Sequence, residues 1–407
     1  MTYVKLQSFY NSGRKPGVLL LAAILVSFLF LKIFLNPLYD DEYSNYGQIK
    51  LFLEGNYSAY PKIGVIPGYH FFVSSMGILL GLTQIPQLRI INFIMVLLSF
   101  YLFWKTAGLL EDYGSINLKT LQFIFLPVIF PYRFLLYTEN LSVPLILGSL
   151  FFLHNKRHWL AGLLACLSML VRQLNVFLVI YLILHITAET MGKQKKLKTI
   201  IKNNLINIFG LLAFAGLFII NKGTAIGVQD LHPDFFISPG NLYWALFLFF
   251  IMFIPINIAN FWAIRTFIRQ HKKILIFAMI FIISAVITFT ANHPWNQSPE
   301  HLRNRLLLAV NGNIITEILF FSAVVYAIFS LAMIKLNRPL NYLIYPLSIL
   351  SLLPIWLIES RYALLPLLLF MLYRKPTEKR LEYLTLAGFI IFSAYLYYGY
   401  LKQVFYF

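Results

Sequence analysis

Five short polar stretches interrupt a chain that is otherwise apolar, and each has residue types that could do chemistry. Asp40-Asp41-Glu42 sets three carboxylates in a row, followed by Asn45, Gln48 and Lys50 on one face and Tyr46, Ile49, Phe52 and Leu53 on another. Such an amphipathic helix lies at a membrane surface, and a carboxylate at its start could act as a general base on an incoming hydroxyl. A plainer reading is an acidic helix start favoured by the helix dipole. Arg172-Gln173-Leu174-Asn175 combines a guanidinium with two amides, a set suited to a phosphate or pyrophosphate, or else an arginine snorkelling to the interface. Tyr137-Thr138-Glu139-Asn140 supplies another carboxylate, in a segment that also reads as a turn capped by Thr138 or Asn140. Glu359-Ser360-Arg361-Tyr362 could be a local Glu–Arg pair, and Glu300, Arg303 and Arg305 share a further loop with His293-Pro294. His232 has no second ligand for a metal, and no metal or other cofactor is expected.

The rest of the chain must position these groups, and its composition limits how. Of 407 residues, 33 are Lys or Arg and 15 are Asp or Glu, a net charge of +18. Only 12% of residues are charged, 59% are apolar and the mean hydropathy is +0.74. Soluble domains carry about twice that share of charge. A cytosolic globular enzyme, a disordered tail protein and a disulfide scaffold are all excluded. The single cysteine, Cys166, lies in the apolar run 163–170 and reads as a packed thiol. The cations stand in short clusters between apolar runs, which is the pattern of membrane topology rather than of nucleic-acid binding.

The spacing predicts an all-α polytopic membrane protein, one integral domain over 1–407, with an uncleaved first helix at 18–35. With every cationic cluster on the cytoplasmic side, further crossings fall at 89–104, 121–136, 141–153, 159–170, 176–186, 205–220, 242–262, 274–290, 314–335, 340–358, 362–373 and 384–401. That makes about thirteen. Residues 66–82 would break the parity if they crossed, so they are expected to lie along the outer surface. Residues 36–88 then form a first outer loop with juxtamembrane helices. The acids and several arginines, with Asp230 and Asp234, collect at outer helix ends and suggest one polar cavity open to that side.

At this point the motifs resemble a known family. Asp41-Glu42, Gln48, Glu54-Gly55, Pro61-Lys62-Ile63 and Pro67-Gly68-Tyr69 follow the order of the first outer loop of the dolichyl-phosphate-glucose-dependent α-1,2-glucosyltransferase, which adds the terminal glucose to the lipid-linked N-glycan precursor. Leu88-Arg89-Ile90-Ile91-Asn92 is similar to the next helix start, Tyr137-Thr138-Glu139 to a Tyr-Thr-Asp motif and Arg172-Gln173-Leu174-Asn175 to Arg-Gln-Thr-Asn. Glu359, Arg361-Tyr362 and Leu365-Pro366 resemble a late Glu-x-Arg-Tyr motif. Asn45 stands where a histidine is expected, Glu139 replaces an aspartate, and Asn221 to Gly227 with His232 match the central region only loosely. These departures read as those of a diverged prokaryotic relative.

The resemblance implies a GT-C-type glycosyltransferase that takes a hexose from a polyprenyl-phosphate donor to a glycan or lipid-linked acceptor on the outer or lumenal face. Asp41 would be the base, with Glu42 as the alternative. Glu139, Gln48 and Tyr69 would bind acceptor, while Arg172, Gln173, Arg361, Arg303 and Arg305 would hold the donor phosphate. The membrane would be the plasma membrane of a prokaryote or the endoplasmic reticulum of a eukaryote. Rival readings are a transporter or flippase of lipid-linked sugars, and a ligase or polymerase of lipid-pyrophosphate glycans.

Overall fold

The computed structural model describes residues 16–61, 63–111, 115–192, 197–221, 223 and 237–406, and among them every regular element is helical. The chain begins with α1 (Pro16–Ile33), α2 (Glu42–Leu53), α3 (Gly68–Leu80), α4 (Ile85–Leu110) and α5 (Ile116–Ile124). A tight group follows, α6 (Glu139–His154), α7 (His158–Val171), α8 (Val176–Met191) and α9 (Leu197–Asn221). The second half holds α10 (Gly240–Met252), α11 (Ile254–Ala259), α12 (Phe261–Gln270), α13 (Lys272–Thr288), α14 (Leu302–Gly312) and α15 (Ile314–Met333). It closes with α16 (Ile344–Leu352), α17 (Leu364–Tyr373) and α18 (Lys379–Lys402). Five stretches are long and apolar enough to cross a membrane, and the α12–α13 pair, bent by 107°, makes a sixth if counted as one span. Seven shorter apolar helices accompany them among the described residues. The molecule is a multi-pass membrane protein.

Helix α4 serves as a ruler. Its start is set by Pro86 in the first turn and by the Gln87 side chain, which accepts from the Gln84 N–H at 3.0 Å. Arg89 near that start and Glu111 just past the end are separated by roughly 33 Å at the rise of a regular helix, the thickness of a hydrocarbon core. Each marks a polar layer. Beyond Glu111, Lys119 pairs with that carboxylate and donates to the Arg374 carbonyl, while Arg374 pairs with Glu382 at 2.6 Å and donates to Gln122. The His154 ring meets the Tyr373 hydroxyl at 3.1 Å, and Lys156 pairs with Glu189 at 2.5 Å. Three of the cationic clusters expected on one side are thus neighbours in space.

Several expected spans are not single helices, and prolines explain why. Residues 121–136 divide: α5 stops at Ile124, and a 3-10 turn occupies Pro131–Phe134. Pro127 cannot donate to the Phe123 carbonyl four residues back. Arg133 does so instead at 2.6 Å, its guanidinium stacked 4.7 and 4.8 Å from the rings of Phe100 and Phe123. Ser393 of α18 likewise donates to the Phe125 carbonyl. Every residue from Gln122 to Asn140 is buried, so this irregular backbone meets protein rather than lipid. The expected span 242–262 breaks between α10 and α11 ahead of Pro255, where the Asn257 amide donates to the Phe250 carbonyl. The 340–358 segment is a 3-10 turn followed by the nine residues of α16, and 362–373 begins inside another 3-10 turn, Ser360–Ala363.

Both ends of α3 meet the Arg89 end of the bundle. A side-chain carbon at Gly68 would strike the Leu170 carbonyl at 2.4 Å, and one at Gly77 would reach Leu88 at 3.1 Å. Leu170 is the penultimate residue of α7 and Leu88 lies in the first turn of α4, so the thirteen-residue α3 runs across the helix ends rather than along them. A second small core forms there from Ile49, Tyr69, Val73, Leu88, Ile91, Leu136, Leu141 and Val171.

Small residues bring α7 and α9 together. Cys166 is a packed, half-buried thiol opposite Gly210, where a β-carbon would lie 2.2 Å from its sulfur. Gly210→Ala should therefore overpack this contact and lower the thermal midpoint, at a cost of about 1–3 kcal/mol. Adding Cys166→Ala should restore most of the loss; a double variant no better than the single would contradict the packing described.

Candidate functional site

The candidate site is built on the turn that joins α1 to α2. Asp40 adopts a left-handed backbone conformation (φ 52°), which an aspartate tolerates better than most residues. The chain then enters α2 with Asp41 as its N-cap, yet the Asp41 carboxylate does not cap the helix. It points to Arg361, 2.5 Å away, in the turn before α17. The position of this turn is fixed one residue later. Glu42 is fully buried and accepts from Arg89 Nε at 2.8 Å and Nη2 at 2.6 Å, from the Leu136 N–H at 2.9 Å and from the Tyr39 N–H at 3.1 Å. Arg89 in turn donates to the carbonyls of Ile33, Phe34, Asn36 and Pro37.

Around Asp41 the structure gathers groups from four other parts of the chain. Arg361 also pairs with Glu359 and lies 3.9 Å from Glu139, which is held by Arg172. Arg303 of α14 stands 3.4 Å from Glu359. The Arg361 guanidinium rests 5.4 Å from the Tyr132 ring and 5.2 Å from the Tyr137 ring, and that of Arg172 lies 5.7 Å from Tyr362. Asp40 faces Nε2 of His301 at 3.4 Å and the Tyr137 hydroxyl at 3.5 Å. The tail closes this side: the Tyr406 N–H donates to the Glu300 carbonyl, the Leu302 N–H donates to Tyr406, and Tyr39 donates to the Phe405 carbonyl. Neither Thr138 nor Asn140 caps α6; Thr138 donates to Glu139, and Asn140 donates to the carbonyls of Tyr132 and Leu135.

The carboxylates differ sharply in setting. Asp41 is 49% exposed, whereas Glu139 is fully buried and Glu359 nearly so. Partial loss of water around Asp41 raises its pKa above the usual aspartate value, with Arg361 opposing the rise and Asp40 and Glu359 adding to it. At Glu359 burial also pushes upward, but Arg361 and Arg303 outweigh it and hold the carboxyl at about 2. Asp41 is thus the half-exposed acid whose pKa is raised, and Glu359 the buried one that its arginines keep ionised. Among the described residues no three of His, Cys, Asp and Glu stand together as a metal site, and the concentrated positive charge is that of the guanidinium groups.

Of the expected site residues, Asp41, Glu139, Arg172, Arg303 and Arg361 come together, and five others lie elsewhere. Glu42 is not open as a base, because both of its oxygens are taken by Arg89 and backbone N–H groups. Gln48 uses both ends of its amide on the 58–60 loop, at the Ser58 carbonyl and the Tyr60 N–H. Tyr69 is buried and donates to Asn92. Gln173 donates to the Gly64 carbonyl. Arg305 is exposed and bonds the carbonyls of Pro299 and Val404. Asn45, found where a histidine was expected, bridges His70 and the Leu136 carbonyl. Asp230, Asp234 and His232 lie outside the described residues. Arg89 stands in the motif at the start of α4 without an expected site role, although an arginine one turn into an apolar helix signals a buried partner. His301 and Tyr406 join the site without any local signal in the sequence.

Fold and site define a class: a multi-pass helical membrane protein with a carboxylate–guanidinium cluster at one end of its bundle. Residues 36–199 match the model of the DIE2/ALG10 family, the one the motifs resemble, and the match includes Asp41, Glu139 and Arg172. The family consists of glycosyltransferases of the dolichol-linked glycan pathway and is associated with the endoplasmic reticulum. No curated protein and no solved structure matches the chain.

The Glu42–Arg89 pair yields a test of how the site is held. Arg89→Leu leaves a lone buried carboxylate and should cost about 3–5 kcal/mol, read as a fall in thermal midpoint, with turnover lost as the Asp40–Asp41 turn moves. Glu42→Leu with Arg89→Leu should recover much of that stability. A single variant as stable as the parent would refute this role.

Proposed function

We propose that this chain is an inverting glycosyltransferase of the GT-C class, crossing the membrane about thirteen times, that moves a glucose-like hexose from a polyprenyl-phosphate donor to a hydroxyl on a glycan or lipid-linked acceptor. The observation that carries the reading is the pairing of the half-exposed Asp41 with Arg361 at 2.5 Å, a base candidate beside a group suited to a phosphate. Asp41 takes the proton of the acceptor hydroxyl as its oxygen attacks the anomeric carbon. The bond from that carbon to the phosphate oxygen breaks, and its electron pair stays on the phosphate. Attack from the face opposite the phosphate inverts the anomeric centre. Arg361, Arg172 and Arg303 stabilise the charge that develops on the leaving phosphate, which calls for no divalent ion. Glu139, held by Arg172, orients the arginines and one edge of the acceptor.

The donor is anchored by its prenyl chain and has to arrive sideways, at membrane level. A shallow, open groove lies between the end of α9 and Gln173, next in sequence to Arg172, and Phe214, Leu217 and Phe218 give it an apolar wall. The reaction belongs on the non-cytoplasmic face, at the endoplasmic reticulum in a eukaryote and the inner membrane in a prokaryote. The cationic clusters at the far end of the bundle support that orientation.

Synthetic prenyl-phosphate sugars with mass spectrometry of the products test the reaction. Asp41→Asn should cut turnover by about a hundredfold or more, the scale of a lost general base, without loss of folding. Near-normal turnover in that variant removes the assignment. Because Asp41 acts ionised and its pKa is raised, kcat/KM should fall as pH drops through a value above the ordinary aspartate range of about 4. An acid limb at or below that range would speak against Asp41 as the base.

A further inference from the structure

The cluster is electrically complete without substrate. Its ion-paired members are three carboxylates, Asp41, Glu139 and Glu359, and three guanidinium groups, those of Arg172, Arg303 and Arg361. Asp40 adds a further negative charge beside them, facing His301. A prenyl-phosphate sugar is a phosphodiester and brings one more anion. Each guanidinium already faces a carboxylate, so that anion gains most where it takes a carboxylate's place.

The carboxylates are not equally displaceable. Glu139 and Glu359 are buried, and leaving either without its arginine would strand a charge away from water. Asp41 is half in solvent, and among the described residues its one ion pair is with Arg361. Released, it would be hydrated rather than stranded. Arg361 itself stays anchored to Glu359 by Nε and keeps its place over Tyr132 and Tyr137, so the Nη2 that holds Asp41 is the part that can change partner.

We propose, building on the glycosyltransferase reading above, that Asp41 occupies the donor phosphate's place on Arg361 in the substrate-free protein, and that the arriving phosphate displaces it. The same exchange that seats the donor then frees the base for the acceptor hydroxyl. The charge balance carries through the reaction: as the phosphate gains its second charge on leaving, Asp41 becomes neutral by taking the acceptor's proton. Arg361 is left wholly to the product. Loss of that proton to water restores the Asp41 carboxylate, which competes again for Arg361 and helps expel the prenyl phosphate.

Binding of farnesyl phosphate to the full chain in lipid nanodiscs tests the exchange. Asp41→Asn, which keeps the shape and removes the competing charge, should bind farnesyl phosphate about tenfold more tightly than the parent, and Arg361→Gln about tenfold more weakly. In the double variant the gain from Asp41→Asn should vanish. Farnesol should bind parent and Asp41→Asn alike. Should Asp41→Asn not fold, Asp41→Ser makes the same comparison. Unchanged or weaker farnesyl phosphate binding, a gain that persists without Arg361, or an equal gain for farnesol overturns the exchange even where turnover is lost. Retained turnover in Asp41→Asn would instead remove the base assignment on which it rests.

Discussion

The bond between Glu42 and Arg89 is the constraint from which the rest of the site follows. Arg89 spends its remaining donors on four carbonyls at the end of α1 and in the loop beyond, and Glu42 accepts from the N–H groups of Tyr39 and Leu136. One ion pair therefore ties together α1, α2, α4 and the segment entering α6. A buried pair of this kind is weak as a source of net stability but expensive to break, which makes it a good locator. With the turn pinned, Asp41 projects to one side only, towards Arg361.

The same economy of charge organises the whole molecule. Apart from Arg133, which lies between the rings of Phe100 and Phe123, the paired ionic groups described above gather in layers at either end of α4, and the interior between them is filled by aromatic and aliphatic side chains such as Phe103, Phe123, Leu147 and Leu150. Where the backbone leaves helical geometry at membrane depth, as after α5, side chains satisfy the carbonyls left open there. Paired charges at the ends and borrowed hydrogen bonds in the middle answer one requirement, that no polar group face lipid alone.

Much of this was legible in the sequence because membrane proteins can spare few charged residues. Asp41, Glu139, Arg172, Arg303, Glu359 and Arg361 stand out against apolar runs, and their gathering follows from helix ends sharing a side. The choice between Asp41 and Glu42 did not follow. One residue turns a helix by about 100°, enough to send one carboxylate to Arg89 and its neighbour to Arg361. Gln48, Tyr69 and Arg305 lie at the right end of the molecule but spend their polar atoms on local backbone or on Asn92, which position along the chain cannot reveal. Helix boundaries inside apolar runs were equally hidden, since hydropathy registers burial and not the single missing N–H of Pro127 or Pro255.

The segment after α18 bears on biogenesis. Val404 to Tyr406 dock against Glu300 to Leu302 and against Tyr39, and Phe405 is seated over Gly399. Tyr39 precedes the Asp40–Asp41 turn and emerges early in translation, while its companions Phe405 and Tyr406 can reach it only after α18 has been threaded into the bilayer. Nascent chains in which α18 has not yet been inserted thus lack the contacts that close this side of the cluster.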